Sequence, residues 1–403
     1  MQYLLRTCFL ALLFVVPAQA QSGAKAGEKK TGQLGEVRVA VDSAVAVRVT
    51  ASNAELQTLA LMAFNAHGGF RIEGSKPQFD IKFTAVAPTQ VRVDITRGLG
   101  GALTASQVVT GSTPRQALLR AADFAVEKTN DSGLRGFFTA RLAFVSQRGG
   151  RGEVLVSDLF LGEAKQLTHD NALVLTPRWA PDGSRVIFTS YFRSGAPDIF
   201  TADAATGRRE TIVSLRGTNT GARFSPNGQQ IAMTLSGSGS PEIFVANAQG
   251  KQISARTRSD SAKSSPCWSP DGSQILFAME PGPQLYVMSA SGGAPRRLNL
   301  GYSYAAEPDW SRTNRNLIAC TVRVGGGKFQ IAVHDLATGQ TKQVSKASFD
   351  AVEPSWLADG RHLIYTARDR TSTQLAILDT KTGKSTSLSS FGAAALQASV
   401  WTP

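Results

Sequence analysis

A phrase built from an aromatic residue and a tight turn recurs six times along this chain. It reads Pro-Arg-Trp-Ala-Pro-Asp-Gly at 177–183, Ala-Arg-Phe-Ser-Pro-Asn-Gly at 222–228 and Pro-Cys-Trp-Ser-Pro-Asp-Gly at 266–272. It continues as Pro-Asp-Trp-Ser-Arg-Thr-Asn at 308–314, Pro-Ser-Trp-Leu-Ala-Asp-Gly at 354–360 and Ser-Val-Trp-Thr-Pro at 399–403. The aromatic anchors Trp179, Phe224, Trp268, Trp310, Trp356 and Trp401 are 45, 44, 42, 46 and 45 residues apart. A period in the forties made of short strands is the mark of a β-propeller with one blade per repeat.

One repeat shows why. The segment from Pro177 to Trp179 is a short strand, and Ala-Pro-Asp-Gly is a turn in which Pro sets φ and Gly accepts a positive φ. Arg185–Ser190, Asp198–Asp203 and Glu210–Leu215 supply three more strands, joined by a loop at Phe192–Ala196 and a Thr-Gly turn. Four antiparallel strands make a blade. The anchors are read as packing between blades, and Asp182, Asp271 and Asp359 as turn residues, not acid–base catalysts.

The ends of the repeat region fit together. Ala398–Pro403 supplies only an innermost strand, whereas Arg141–Thr168 supplies three strands with no anchor before them. Joining them closes a six-bladed ring through the C-terminal strand and removes two open sheet edges.

Residues 1–20 read as a secretory signal peptide: Arg6, an apolar run at Phe9–Val16 and a small-x-small site at Ala18-Gln19-Ala20. Residues 21–35 are rich in Gly and Lys and read as a flexible basic arm. A small α/β domain is expected over 36–134, with a strand at Val37–Val41, a helix over Asn53–Ala66 and strands at Phe79–Ala85, Gln90–Thr96 and Leu103–Val109. A second helix over Ser112–Asn130 is capped by Ser112 or Thr113, with Pro114 in its first turn. Gly133–Gly136 links this domain to a propeller over 135–403.

The chain carries 43 Lys and Arg against 30 Asp and Glu. Export makes nucleic acid a poor partner, and the charge favours anionic partners or envelope surfaces. Cys267 and Cys320 read as two isolated buried thiols. The four histidines, His67, His169, His334 and His362, share no metal-ligand spacing.

A signal peptide, a small α/β domain and a six-bladed propeller in that order resemble the TolB family, periplasmic components of the Tol–Pal system. Glu36–Ser43 (EVRVAVDS) is similar to the family's mature start, Gly133–Val145 (GLRGFFTARLAFV) to its linker, and the W-S-P-D-G phrases to its repeats. The stretch 51–110 departs from the family. The resemblance implies a non-enzymatic periplasmic protein that supports envelope integrity, cell division and protein import. It implies capture of a Pal-like peptidoglycan-associated lipoprotein at the propeller mouth, and contact with a TolA-like inner-membrane protein through the N-terminal segment. The rim positions that align are Thr176, Thr218, Asn219, Ser264, Glu307 and Glu353. No cofactor, metal or catalytic residue is expected. The alternative is a metal-dependent, lactonase-like propeller hydrolase using Glu307 and Glu353, with Thr176, Gly221, Ser265 and Ala398 at the matching places of the other blades.

Overall fold

The computed structural model describes residues 44–130, 135–237, 239–388 and 393–403. The expected signal peptide, the basic arm and the strand at Val37–Val41 lie outside the described residues, as does part of the Gly133–Gly136 link. Among the described residues no helix is long and apolar enough to cross a membrane.

The first layer is a five-stranded sheet with two helices. Strand β1 (Val45–Ala51) leads through helix α1 (Ala54–Ala66) to β2 (Phe70–Ile72), and β3 (Phe79–Ala87), β4 (Gln90–Arg97) and β5 (Leu103–Thr110) precede helix α2 (Pro114–Thr129). The sheet order is β2-β1-β3-β4-β5, with β1 parallel to both its neighbours and the other pairs antiparallel. Asn53 caps α1 by accepting from the Leu56 N–H, and Thr113 caps α2 by accepting from Gln116. Alternation along β4 buries Val91, Val93 and Ile95 against Leu118, Ala122 and Val126 of α2. The strands β1 and β2 were not expected. The first alternates Val45-Ala46-Val47-Arg48-Val49 and was legible in principle; the second has only three residues.

Six four-stranded antiparallel sheets follow. Blade 1 joins Ala394–Trp401 to Arg141–Arg148, Arg151–Asp158 and Lys165–Gln166, so the C-terminal strand closes the ring. Blades 2 to 6 begin with the inner strands Val174–Trp179, Asn219–Phe224, Lys263–Trp268, Ala305–Trp310 and Asp350–Trp356. The anchors Trp179, Phe224, Trp268, Trp310 and Trp356 are buried. Two indoles tie blades together: Trp268 donates to the Arg223 carbonyl at 3.1 Å and Trp356 to the Asp309 carbonyl at 3.1 Å.

The closing strand differs by one residue from the repeat. In blade 2 the anchor Trp179 pairs with Val186, and in blade 1 the residue in that register is Val400, paired with Leu142. Trp401 is therefore one step past the anchor site. It packs at a tilt of 38° against Trp179 with ring centroids 5.9 Å apart and donates to the Pro181 carbonyl at 3.0 Å. Its ring lies so close to Gly183 (φ 68°) that a Cβ there would meet it at 2.3 Å. Glycine serves both the turn and the closure.

The two domains fall within one compact unit, Glu36–Pro403. A continuous apolar core runs from Phe64 and Phe70 through Phe137 and Phe138 to Leu357, Ile364 and Val400. Asp123 of α2 accepts from the Phe138 and Thr139 N–H groups at 3.0 and 3.1 Å, and Arg115 pairs with Asp158 of blade 1.

Candidate functional site: a channel with two different mouths

Every inner strand carries a bulge at the same place. The residues there are Thr176, Gly221, Ser265, Glu307, Glu353 and Gln397, all in the left-handed region with φ between 51° and 66°. Five of the six are not glycine, and the conformation costs each of these about 1 kcal/mol. Gln397, not Ala398, is the blade 1 member, which corrects the expected equivalence. The bulges ring the channel nearer one mouth, the end where the inner strands begin. The Pro-Asp-Gly turns surround the other.

Half of the mouth is tied into a chain of hydrogen bonds. Glu307 Oε2 accepts from Thr321 Oγ1 at 2.7 Å and from the Glu353 N–H at 3.0 Å. Glu353 accepts from Thr366 Oγ1 at 2.7 Å and from Gln397 Nε2 at 2.9 Å, and Gln397 Oε1 accepts from the Thr176 N–H at 2.7 Å. Burial, and next the neighbouring Glu353, push the Glu307 carboxyl up to about 7.

The other half lacks long side chains, since Gly221 and Ser265 stand where the glutamates would be. There the buried hydroxyls of Thr176, Thr189 and Thr234 have no protein partner. Ser264 is exposed and Thr218 half-buried, its N–H held by Ser236 Oγ at 2.8 Å. Asn219 is buried, with its amide donating to the Leu215 and Pro197 carbonyls at 2.7 and 3.0 Å, so it braces the loops. Two exposed apolar side chains of blade 2, Phe192, whose ring packs on Phe200 and Arg209, and Leu215, whose carbonyl holds Asn219, were not singled out by sequence reasoning. Both sit in loops, where no periodicity marks them.

The second cluster lies between the domains. His67, Asp359 and His362 are buried with ligand atoms within 4.8 Å of one another, although the histidines are 295 positions apart. Backbone groups take up most of that capacity. His362 Nδ1 faces Asp359 Oδ2 at 2.5 Å, and its Nε2 accepts from the Gly68 N–H at 3.1 Å. His67 Nδ1 accepts from the Gly69 N–H at 3.0 Å, leaving His67 Nε2 without a partner. One free nitrogen does not make a metal shell. Burial, and next His362, hold the His67 ring well below its usual pKa. Cys267 and Cys320 are both buried and free, in agreement with the expectation.

Comparisons with known proteins agree with this architecture. A Bordetella pertussis protein called Tol-Pal system protein TolB is 30% identical over 176 residues, covering 40% of this chain and 37% of that relative. Its Bordetella parapertussis counterpart is 28% identical over the same length. These matches span little over a third of the relatives' length. The crystal structure of TolB from Acinetobacter baumannii has a TM-score of 0.79 at 22% identity, covering 91% of this chain and 99% of that one. A putative TolB from Agrobacterium tumefaciens has a TM-score of 0.51 at 17% identity, covering 64% and 91%. Those likenesses show the fold. Residues 130–403, more than half of the chain, match the family described as the TolB beta propeller domain, and the chain belongs to that family.

Proposed function

We propose that this protein is a non-enzymatic, exported binding component of a Tol–Pal envelope system, working in the periplasm. It captures a Pal-like peptidoglycan-associated lipoprotein at the mouth framed by Thr176, Thr218, Ser264, Glu307 and Glu353, with Asn219 bracing the loops. Family membership supports the system. The observation that carries the site is the asymmetry of the mouth: one half is closed by its own hydrogen bonds, and the other, where Gly221 and Ser265 replace the glutamates, presents an exposed Ser264 and a half-buried Thr218. An inserted peptide segment finds room in that half, and the accessible Ser264 side chain offers it a hydrogen-bond partner. The N-terminal segment, in this reading, contacts a TolA-like inner-membrane protein.

The hydrolase alternative gains nothing from the carboxylate pair. Three of their four oxygens already accept hydrogen bonds from Thr321, Thr366, Gln397 and the Glu353 backbone, and only Glu307 Oε1 has no partner among the described residues. Affinity capture from an envelope extract with the full chain tests the proposal. A Pal-like lipoprotein is expected among the bound proteins, and its repeated absence would defeat the reading.

A further inference from the structure

The channel end framed by the Pro-Asp-Gly turns differs in character from the rim. It opens into a cavity of about 320 Å³ lined by Arg178, Arg223, Arg312 and Asp309 and walled by the indoles of Trp179, Trp268, Trp310 and Trp356. Three cations face one carboxylate. That carboxylate is fully engaged: Asp309 Oδ1 accepts from Arg223 Nη1 at 2.6 Å, and Oδ2 accepts from the Trp356 N–H at 2.8 Å. Arg223 is further held by the Pro308 carbonyl at 3.2 Å and lies 3.3 Å from Cys267 Sγ.

Arg178 is in a different position. Its Nη1 donates to the Pro177 carbonyl at 2.9 Å and the Gln397 carbonyl at 3.4 Å, and neither carries charge. Its Nε and Nη2 donors have no protein partner among the described residues, and the side chain lines the cavity. Burial, and next the Arg223 charge, depress its pKa to about 10. Asp309 and Glu353 act on it through space, but no carboxylate bonds to it among the described residues, and an anion presenting two oxygens fits its remaining fork.

We propose that this end of the channel binds a carboxylate-bearing ligand, gripped by the free donors of Arg178 and screened by the indole walls. A small dicarboxylate and the C-terminal carboxylate of a peptide share that chemistry. The aromatic walls supply contact to the ligand's carbon skeleton, and the volume lies at the small end of ordinary ligand pockets. The site is at the opposite end of the channel from the proposed lipoprotein mouth, so each stands or falls by its own experiment.

Calorimetric titration of the full chain at fixed ionic strength tests it, with succinate in one arm and acetyl-triglycine, as free acid and as amide, in the other. At least one carboxylate is expected to bind at about 1 mM or tighter. Preference for succinate identifies a small-molecule site, and preference for the peptide acid over its amide identifies a chain terminus. Arg178→Gln is expected to lose about tenfold or more in affinity, as removal of a charge-assisted fork requires. Should that variant fail to fold, the wild type labelled with 15N-arginine still decides: one Nε resonance shifts on titration. Silence of both carboxylates with the wild type, or equal binding by a folded Arg178→Gln variant, overturns the proposal.

Discussion

Burial acts on Glu307 and His67 with opposite sign. Glu307 is raised to about 7, so the folded chain holds its proton more tightly than the unfolded chain does. That stability is full below the ordinary glutamate range and is lost as pH rises through the folded value. Glu307→Gln keeps an oxygen for Thr321 and cannot ionise. Its melting temperature is predicted to exceed that of the wild type by about 1–3 °C near pH 8 and to match it near pH 4.5. His67 behaves in reverse. Its pKa is depressed, so the stability is present above the ordinary histidine value and is lost as pH falls below it toward the folded value. Asp359 and Asp379, which face it, are held low and titrate beneath that window. His67→Phe is predicted to flatten the part of the melting curve that falls between about pH 6.5 and pH 5. Equal slopes in the two proteins would reject this assignment. Neither effect was legible in the sequence, because each depends on what packs around the side chain.

At the scale of elements, the α/β domain docks through the end of α1. A Cβ on Gly68 would meet Asp379 Oδ2 at 1.8 Å, and Asp379 is itself clamped by Arg361 at 2.7 and 2.8 Å. The backbone cannot retreat without breaking the Gly68 N–H contact to His362. Gly68→Ala is predicted to cost about 2 kcal/mol or more. Hydrogen exchange is expected to rise around 67–70 and 361–379 while blades 3 and 4 keep their protection. Uniform protection would show that the docking tolerates the side chain. Helix ends were readable here because caps are local: Asn53 and Thr113 precede α1 and α2 as their chemistry demands. The bulges were not readable as such. Positive φ at Thr176 or Glu353 is imposed by the ring, and nothing about threonine or glutamate announces it. The interdomain histidines were hidden for a similar reason, since His67 and His362 meet only when α1 packs on blade 6.

At the scale of the whole molecule, the spacing of the anchors was enough to infer six blades and closure by the last strand. It missed the offset that puts Val400 in the anchor register, since tryptophan and proline repeat there as in a full phrase. A chain ending at Gln397 loses Val400 and Trp401, opens the Arg141–Arg148 strand edge and uncovers Trp179. Loss of the buried Val400 and of the partly buried Trp401 ring that covers Trp179 is worth about 3–5 kcal/mol. Aggregation, or a large fall in melting temperature, is expected, and a cooperative melt at the wild-type temperature would refute closure through this strand. A closed ring is also what holds the rim loops on one rigid frame. The rim assignment is tested most directly by calorimetric titration of a purified Pal-like lipoprotein into the wild type and into a Thr218→Arg, Ser264→Arg double variant. The wild type is predicted to bind one lipoprotein per chain, and the double variant to lose about tenfold or more in affinity with unchanged circular dichroism and melting. Absence of binding by the wild type, or equal affinity in the two proteins, would contradict a lipoprotein site at this mouth.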